Sequence, residues 1–112
     1  MRKNCRSNEY GVELDRNGYA PSILTKYPST RCHVCYRNMG SIQRHEVFHG
    51  SNREKSKRYG LWINVCHSCH YQIHNGDGLM DSILKQDAQK EAMRYYGWTT
   101  EKWREIFGKN YL

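Results

Sequence analysis

Apolar and polar positions divide the chain unevenly. The run Leu61-Trp62-Ile63-Asn64-Val65 is its densest stretch of aromatic and β-branched residues and predicts a strand. A second short strand is expected over 41–48, closing on His45-Glu46-Val47-Phe48. Residues 50–60 hold four basic residues and one acid between two glycines, which reads as a polar loop. After the Leu61 strand a helix is expected from about residue 69 to 74, stopped by Asn75-Gly76 and Gly78.

Downstream the period changes. Met80, Ile83, Leu84, Ala88, Ala92 and Tyr95/Tyr96 recur at threes and fours, so one face of a helix should pack on the core before Gly97 ends it. Thr99 or Thr100 can cap a further helix that carries Trp103, Ile106 and Phe107 to Gly108. The aromatic residues of this tail are expected to be buried rather than to stack on bases. Upstream, Val12 and Leu14 followed by Asp15-Arg16-Asn17-Gly18 predict a short strand and a tight hairpin turn. Pro21 and Pro28 exclude a helix there. The fold class expected is α+β in one domain: an N-terminal extension with a short hairpin (1–31), a core (32–76) and a helical tail packed on it (77–112).

Composition sharpens this picture. Of 112 residues only 38% are hydrophobic and the mean hydropathy is −0.97, so the core is small and needs a metal, a disulfide or an oligomer to brace it. No signal peptide follows Met1-Arg2-Lys3 and no apolar run is long enough to span a membrane. A reducing, cytoplasmic location is therefore expected, where cysteine pairs serve metals more often than disulfides. The formal net charge of +7 suits a polyanionic partner, nucleic acid above all.

The candidate chemistry is confined to 32–74. Cys32, Cys35, Cys66 and Cys69 form two C-x-x-C pairs, the donor set of a closed, structural tetrahedral zinc site; a redox role for the pairs is the alternative. Cys5 is expected to be a free, packed thiol. His33 and His67 lie inside the pairs as spacers. His70 and His74 are four apart and share a helix face, turned away from the thiols, which permits a second metal site. One of these two replacing a cysteine at the zinc is the other option. A neutral imidazole such as His45, next to a hydrated divalent ion, is an arrangement that activates water against a phosphodiester. Arg53, Lys55, Lys57 and Arg58 are the expected phosphate contacts.

The order C-x-x-C, a strand ending His45-Glu46-Val47-Phe48, a polar stretch, an apolar strand and Cys66-His67-Ser68-Cys69-His70-x-x-x-His74 resembles the zinc-braced HNH (ββα-metal, His-Me finger) endonucleases. It is similar in particular to small HNH proteins of phages and prophages, including a recombination-associated nuclease group. The segments Arg44-His45-Glu46-Val47-Phe48-His49-Gly50-Ser51-Asn52-Arg53 and Lys57-Arg58-Tyr59-Gly60-Leu61-Trp62 also resemble that group. The resemblance implies a ββα-metal core and metal-dependent hydrolysis of DNA to 5′-phosphate and 3′-hydroxyl ends in a bacterial cytoplasm. It implies a structural zinc, a catalytic cation such as Mg, Mn or Zn/Ni on His70 and His74 with His49 as a nearby ligand or a phosphate contact, and a recombination or replication protein as partner. His45 is expected as general base. The other alignment makes His45 a metal ligand and Glu46 the base. Asn52 or Asn64 would replace the family's middle Asn. A non-catalytic zinc module that binds nucleic acid or a replication or recombination partner is the rival reading.

Overall fold

The computed structural model of the protein describes residues 6–25, 30–38 and 41–112; Cys5 and Pro28 lie outside them. Among the described residues there are two small antiparallel sheets and four helices, an α+β arrangement. Strands β1 (Arg6–Ser7) and β2 (Glu13–Leu14) form one sheet. Strands β3 (Ile42–Glu46) and β4 (Trp62–Cys66) form the other, with Ile42 opposite Cys66, His45 opposite Ile63 and Glu46 opposite Trp62. The helices are α1 (Arg53–Tyr59), α2 (His67–Asn75), α3 (Leu79–Tyr96) and α4 (Thr100–Phe107). No helix among the described residues is long and apolar enough to cross a membrane.

The β4 strand is where the apolar run predicts it, and Leu61, Ile63 and Val65 are fully buried. Helix α2 packs against both β3 and β4. It starts at His67, two residues earlier than expected, because the Cys66 side chain caps it by accepting from Cys69 N–H. The segment 50–60 is not a loop: a 3-10 turn at Gly50–Asn52 leads into α1. What α1 buries is Ser56, Lys57 and Tyr59, not an apolar stripe. The Ser56 hydroxyl donates to Phe48 O and accepts from Phe48 N–H, 2.6 and 2.9 Å. A buried hydroxyl with both bonds made supports a helix as an apolar side chain would, and the hydrophobic pattern does not register it.

The tail closes the core. Trp103 stacks on Phe107 at 4.1 Å between centroids, and Phe48 meets both rings edge-on or tilted. Thr99, not Thr100, caps α4, its Oγ1 accepting from Lys102 N–H. On α3 the residues turned inward are Leu84, Ala88, Gln89 and Ala92, whereas Ile83 and Tyr95 are exposed. Gln89 is tied to the C-terminal segment through Asn110 and the Tyr111 N–H. The N-terminal turn also differs from expectation. Asp15–Gly18 does turn, with Asp15 Oδ1 accepting from Asn17 and Tyr19 N–H. The strand pairing, however, is upstream, across a turn in which Asn8 Oδ1 accepts from Tyr10 and Val12 N–H.

The extension then crosses α1 and β4, and Gly60 is the crossing point. Gly60 ends α1 at φ 74°, and a Cβ there would lie 2.3 Å from the Pro21 carbonyl oxygen. Gly97 ends α3 at nearly the same φ but faces open space. Gly97→Ala therefore brings only the left-handed strain of about 1–2 kcal/mol. Gly60→Ala adds a backbone clash and is expected to lower Tm by roughly 8 °C or more, clearly below Gly97→Ala, in a thermal melt.

Candidate metal centres

Two groups of metal-binding side chains stand on this frame. The first is Cys32, Cys35, Cys66 and Cys69, whose sulfurs lie within 4.8 Å of one another. Cys32–Cys35 forms a tight knuckle: Cys35 N–H donates to Cys32 Sγ, Tyr36 N–H donates to Cys32 O, and Tyr36 adopts φ 64°. An Arg31–Asn38 bridge closes its base. Cys66 and Cys69 come from the end of β4 and the first turn of α2. Tetrahedral zinc with Zn–S of about 2.3 Å requires sulfurs roughly 3.8 Å apart; Cys35 and Cys66 Sγ are 3.9 Å apart. The set fits a metal such as zinc.

Electrostatics agrees with that fit. Hydrogen bonding by Arg37, chiefly through its side chain, lowers the Cys35 thiol to about 6. Burial, and then the neighbouring thiols, push Cys69 far up. One thiolate is thus favoured without a metal, but four in this space need a cation to balance them. The Arg37 contribution has no motif to reveal it.

The second group is His45, His70 and His74, one ligand nitrogen from each lying within 4.8 Å of the others. His45 comes from β3 and the other two from one face of α2, with ring centroids 4.8–5.3 Å apart. His70 and His74 Nε2 are 3.2 Å apart, within the roughly 3.0–3.4 Å spacing of two nitrogens bound at about 2.0–2.1 Å to one ion. Gln43 lies two residues before His45, hence on the same strand face. Its amide oxygen stands 2.6 Å from His70 Nδ1. A carbonyl oxygen only accepts, so Nδ1 carries the proton and Nε2 keeps its lone pair toward His74. His45 is 2% exposed, and its buried Nε2 has no hydrogen-bond partner among the described residues. Burial first, then the neighbouring histidines, lowers it to about 4. It is neutral at pH 7 and can donate a lone pair. The donor set fits a divalent cation. This geometry groups His45 with the ligands, the alternative to its expected role as base.

The other expected site residues are dispersed. Glu46 points to the opposite face of β3, where its carboxylate accepts from Tyr19 Oη and from Arg53 Nε at 3.0 Å. Burial raises its pKa, but the bonds from Tyr19 and Arg53 outweigh this and hold it below the usual range, which weakens it as a base. His49 stands beside the triad, 5.7 Å from His74 between centroids, with Nε2 3.7 Å from Asp81 Oδ1. Asn52 donates through Nδ2 to Phe107 O, and Asn64 sits in β4 opposite Arg44. His33 and His67 belong to neither group.

The expected phosphate contacts all have partners within the protein. Lys55 donates to Ile106 O, and Lys57 is buried beside Glu54 at 3.4 Å and over the Tyr19 ring. Arg53 pairs with Glu46 and Arg58 with Glu9, though both guanidinium side chains remain substantially exposed. Arg44, on the Glu46 face, lies 4.2 Å from the centroids of both Tyr19 and Trp62. Sequence reasoning missed Gln43 and Asp81. The period of two that puts Gln43 with His45 could have found the first; nothing local marks the second.

Compared with family models, curated proteins and solved structures, the chain matches none.

Proposed function

We propose that the protein is a metal-dependent DNA endonuclease of the HNH (ββα-metal) type, hydrolysing phosphodiesters at the histidine group and braced by zinc on the four cysteines. The observation that carries this reading is the convergence of His45, His70 and His74 on the strand–strand–helix unit that ends in the second cysteine pair. A divalent cation held by these three histidines would supply Lewis-acid stabilisation of the charge that develops as the phosphodiester is attacked.

The protein's own groups do the rest. His45, His70 and His74 offer lone pairs, and Gln43 holds the His70 ring by accepting its Nδ1–H. A nitrogen committed as ligand cannot also take a proton, so the attacking water's proton goes elsewhere. His49 is the neighbouring imidazole outside the ligand set. It is the group placed to accept that proton. The P–O3′ bond breaks, and the leaving oxygen takes a proton from solvent. Arg53 and Arg58 contact backbone phosphates, which makes binding salt-dependent and largely indifferent to sequence.

The reading is tested with supercoiled plasmid in Mg²⁺ or Mn²⁺. Nicked circles that a DNA ligase reseals directly, and therefore carry 5′-phosphate and 3′-hydroxyl ends, are the expected product. A salt-sensitive shift of DNA mobility with no cutting would make the protein a zinc-braced binding module instead.

A further inference from the structure

Asp81 stands in the first turn of α3, and its two oxygens have different fates. Oδ2 pairs with Lys85 Nζ one turn on, at 3.0 Å. Oδ1 is sealed from solvent and has no hydrogen-bond partner among the described residues. Its neighbour His49 Nε2, at 3.7 Å, is beyond hydrogen-bond length. A buried carboxylate oxygen without a donor is disfavoured. The bland role for Asp81, a negative charge at a helix start paired with a lysine, uses only Oδ2 and leaves Oδ1 unexplained.

Oδ1 faces His49, which in turn adjoins both His45 and His74. Yet Asp81 is not a member of the set whose ligand atoms all lie within 4.8 Å. It stands beside the group and outside it. We propose that Asp81 is an outer-sphere partner of the histidine site, its Oδ1 accepting a hydrogen bond from a water in the shell of the divalent cation. The inference rests on the histidine reading above and adds a charge to it: three neutral imidazoles bring none, and an outer-shell carboxylate supplies one.

The test is Mn²⁺ affinity of the full chain holding a single zinc per chain, read from the loss of the free-ion electron-spin signal, with thermal melts run beside it. Four thiolates outcompete the imidazoles for that one zinc and keep it against Mn²⁺, so the titration reports the nitrogen and oxygen donors left open. Asp81→Leu removes the acceptor and is expected to weaken Mn²⁺ binding about 10–100-fold, the usual effect of losing an outer-shell partner. Asp81→Asn keeps the shape and one acceptor but loses the charge; it is expected near the lower end of that range and serves if the leucine variant does not fold. Lys85→Met, which breaks the ion pair but leaves the carboxylate, and Asp87→Asn, an acid farther along α3, are expected to bind as wild type does. Wild-type affinity in folded Asp81 variants overturns the inference alone, as does an equal loss in Lys85→Met. A wild type holding one zinc that takes up neither Mn²⁺ nor a second, nitrogen-bound ion from Ni²⁺ overturns the histidine reading, and this inference with it.

Discussion

Chelating the metal from the four-cysteine cluster is expected to unfold the whole chain. The cluster joins the knuckle at 32–35 to the end of β4 and the start of α2, segments that no disulfide links among the described residues. The apolar core they share is small for the chain's length: Phe48, Leu61, Ile63, Val65 and the tail aromatics carry most of it. Domains of this size are stable by about 5–15 kcal/mol, and a structural zinc contributes an apparent 10–16 kcal/mol at pH 7. Losing the ion therefore removes an amount comparable to the total. It also leaves thiols crowded around a single favoured thiolate on Cys35. A strong chelator should abolish the cooperative melt, and Cys66→Ser should do the same, because it takes a buried thiolate out of the cluster while leaving a hydroxyl able to cap α2. A cooperative melt that survives full removal of zinc would show that the core stands alone.

The histidine group is expected to behave in the opposite way at His74, where a change should alter chemistry and spare the fold. His74 is exposed, so its truncation leaves no cavity. His45, fully buried, would confuse loss of a ligand with loss of packing. His74→Ala is expected to keep its zinc and its melting temperature while slowing DNA nicking by more than 100-fold, beyond the range for an outer-shell partner. Gln43→Leu tests the same site one step out. Without an acceptor for Nδ1–H, His70 is free to place its proton on either nitrogen and to turn. The expected loss in nicking is about 10–100-fold, with weaker cation binding to match. A Gln43 variant as active as wild type would mean that helix packing alone orients the His70 ring.

Spacing carries over into structure best where it repeats. The cysteine pairs meet, and the i, i+4 histidines share a face, because two knuckles and one helical turn leave little freedom. Strand β4 was legible because its residues are apolar and β-branched. Helix α1 was not, since its burial is through the Ser56 hydroxyl, Lys57 and the Tyr59 ring rather than an apolar period. Glu46 illustrates the rule of alternation: one residue separates it from His45, and that puts it on the other face with Tyr19 and Arg53. The basic residues of 53–58 show what charge alone omits. Composition counts the cations, but Glu9, Glu46, Glu54 and the Ile106 carbonyl, distant in sequence in most cases, decide which remain exposed. Asp81 follows a glycine-rich turn and reaches the site only because α3 folds back on α2, a tertiary fact with no local signal.

The most direct test compares nicking of supercoiled plasmid by zinc-loaded wild type and His74→Ala, in Mg²⁺ and in Mn²⁺, at matched zinc content and melting temperature. The account predicts relaxed circles from the wild type with at least one of the two ions, and no more than a trace from His74→Ala. Equal cutting by both proteins, or none by the wild type, would contradict a cation-dependent catalytic centre on His45, His70 and His74.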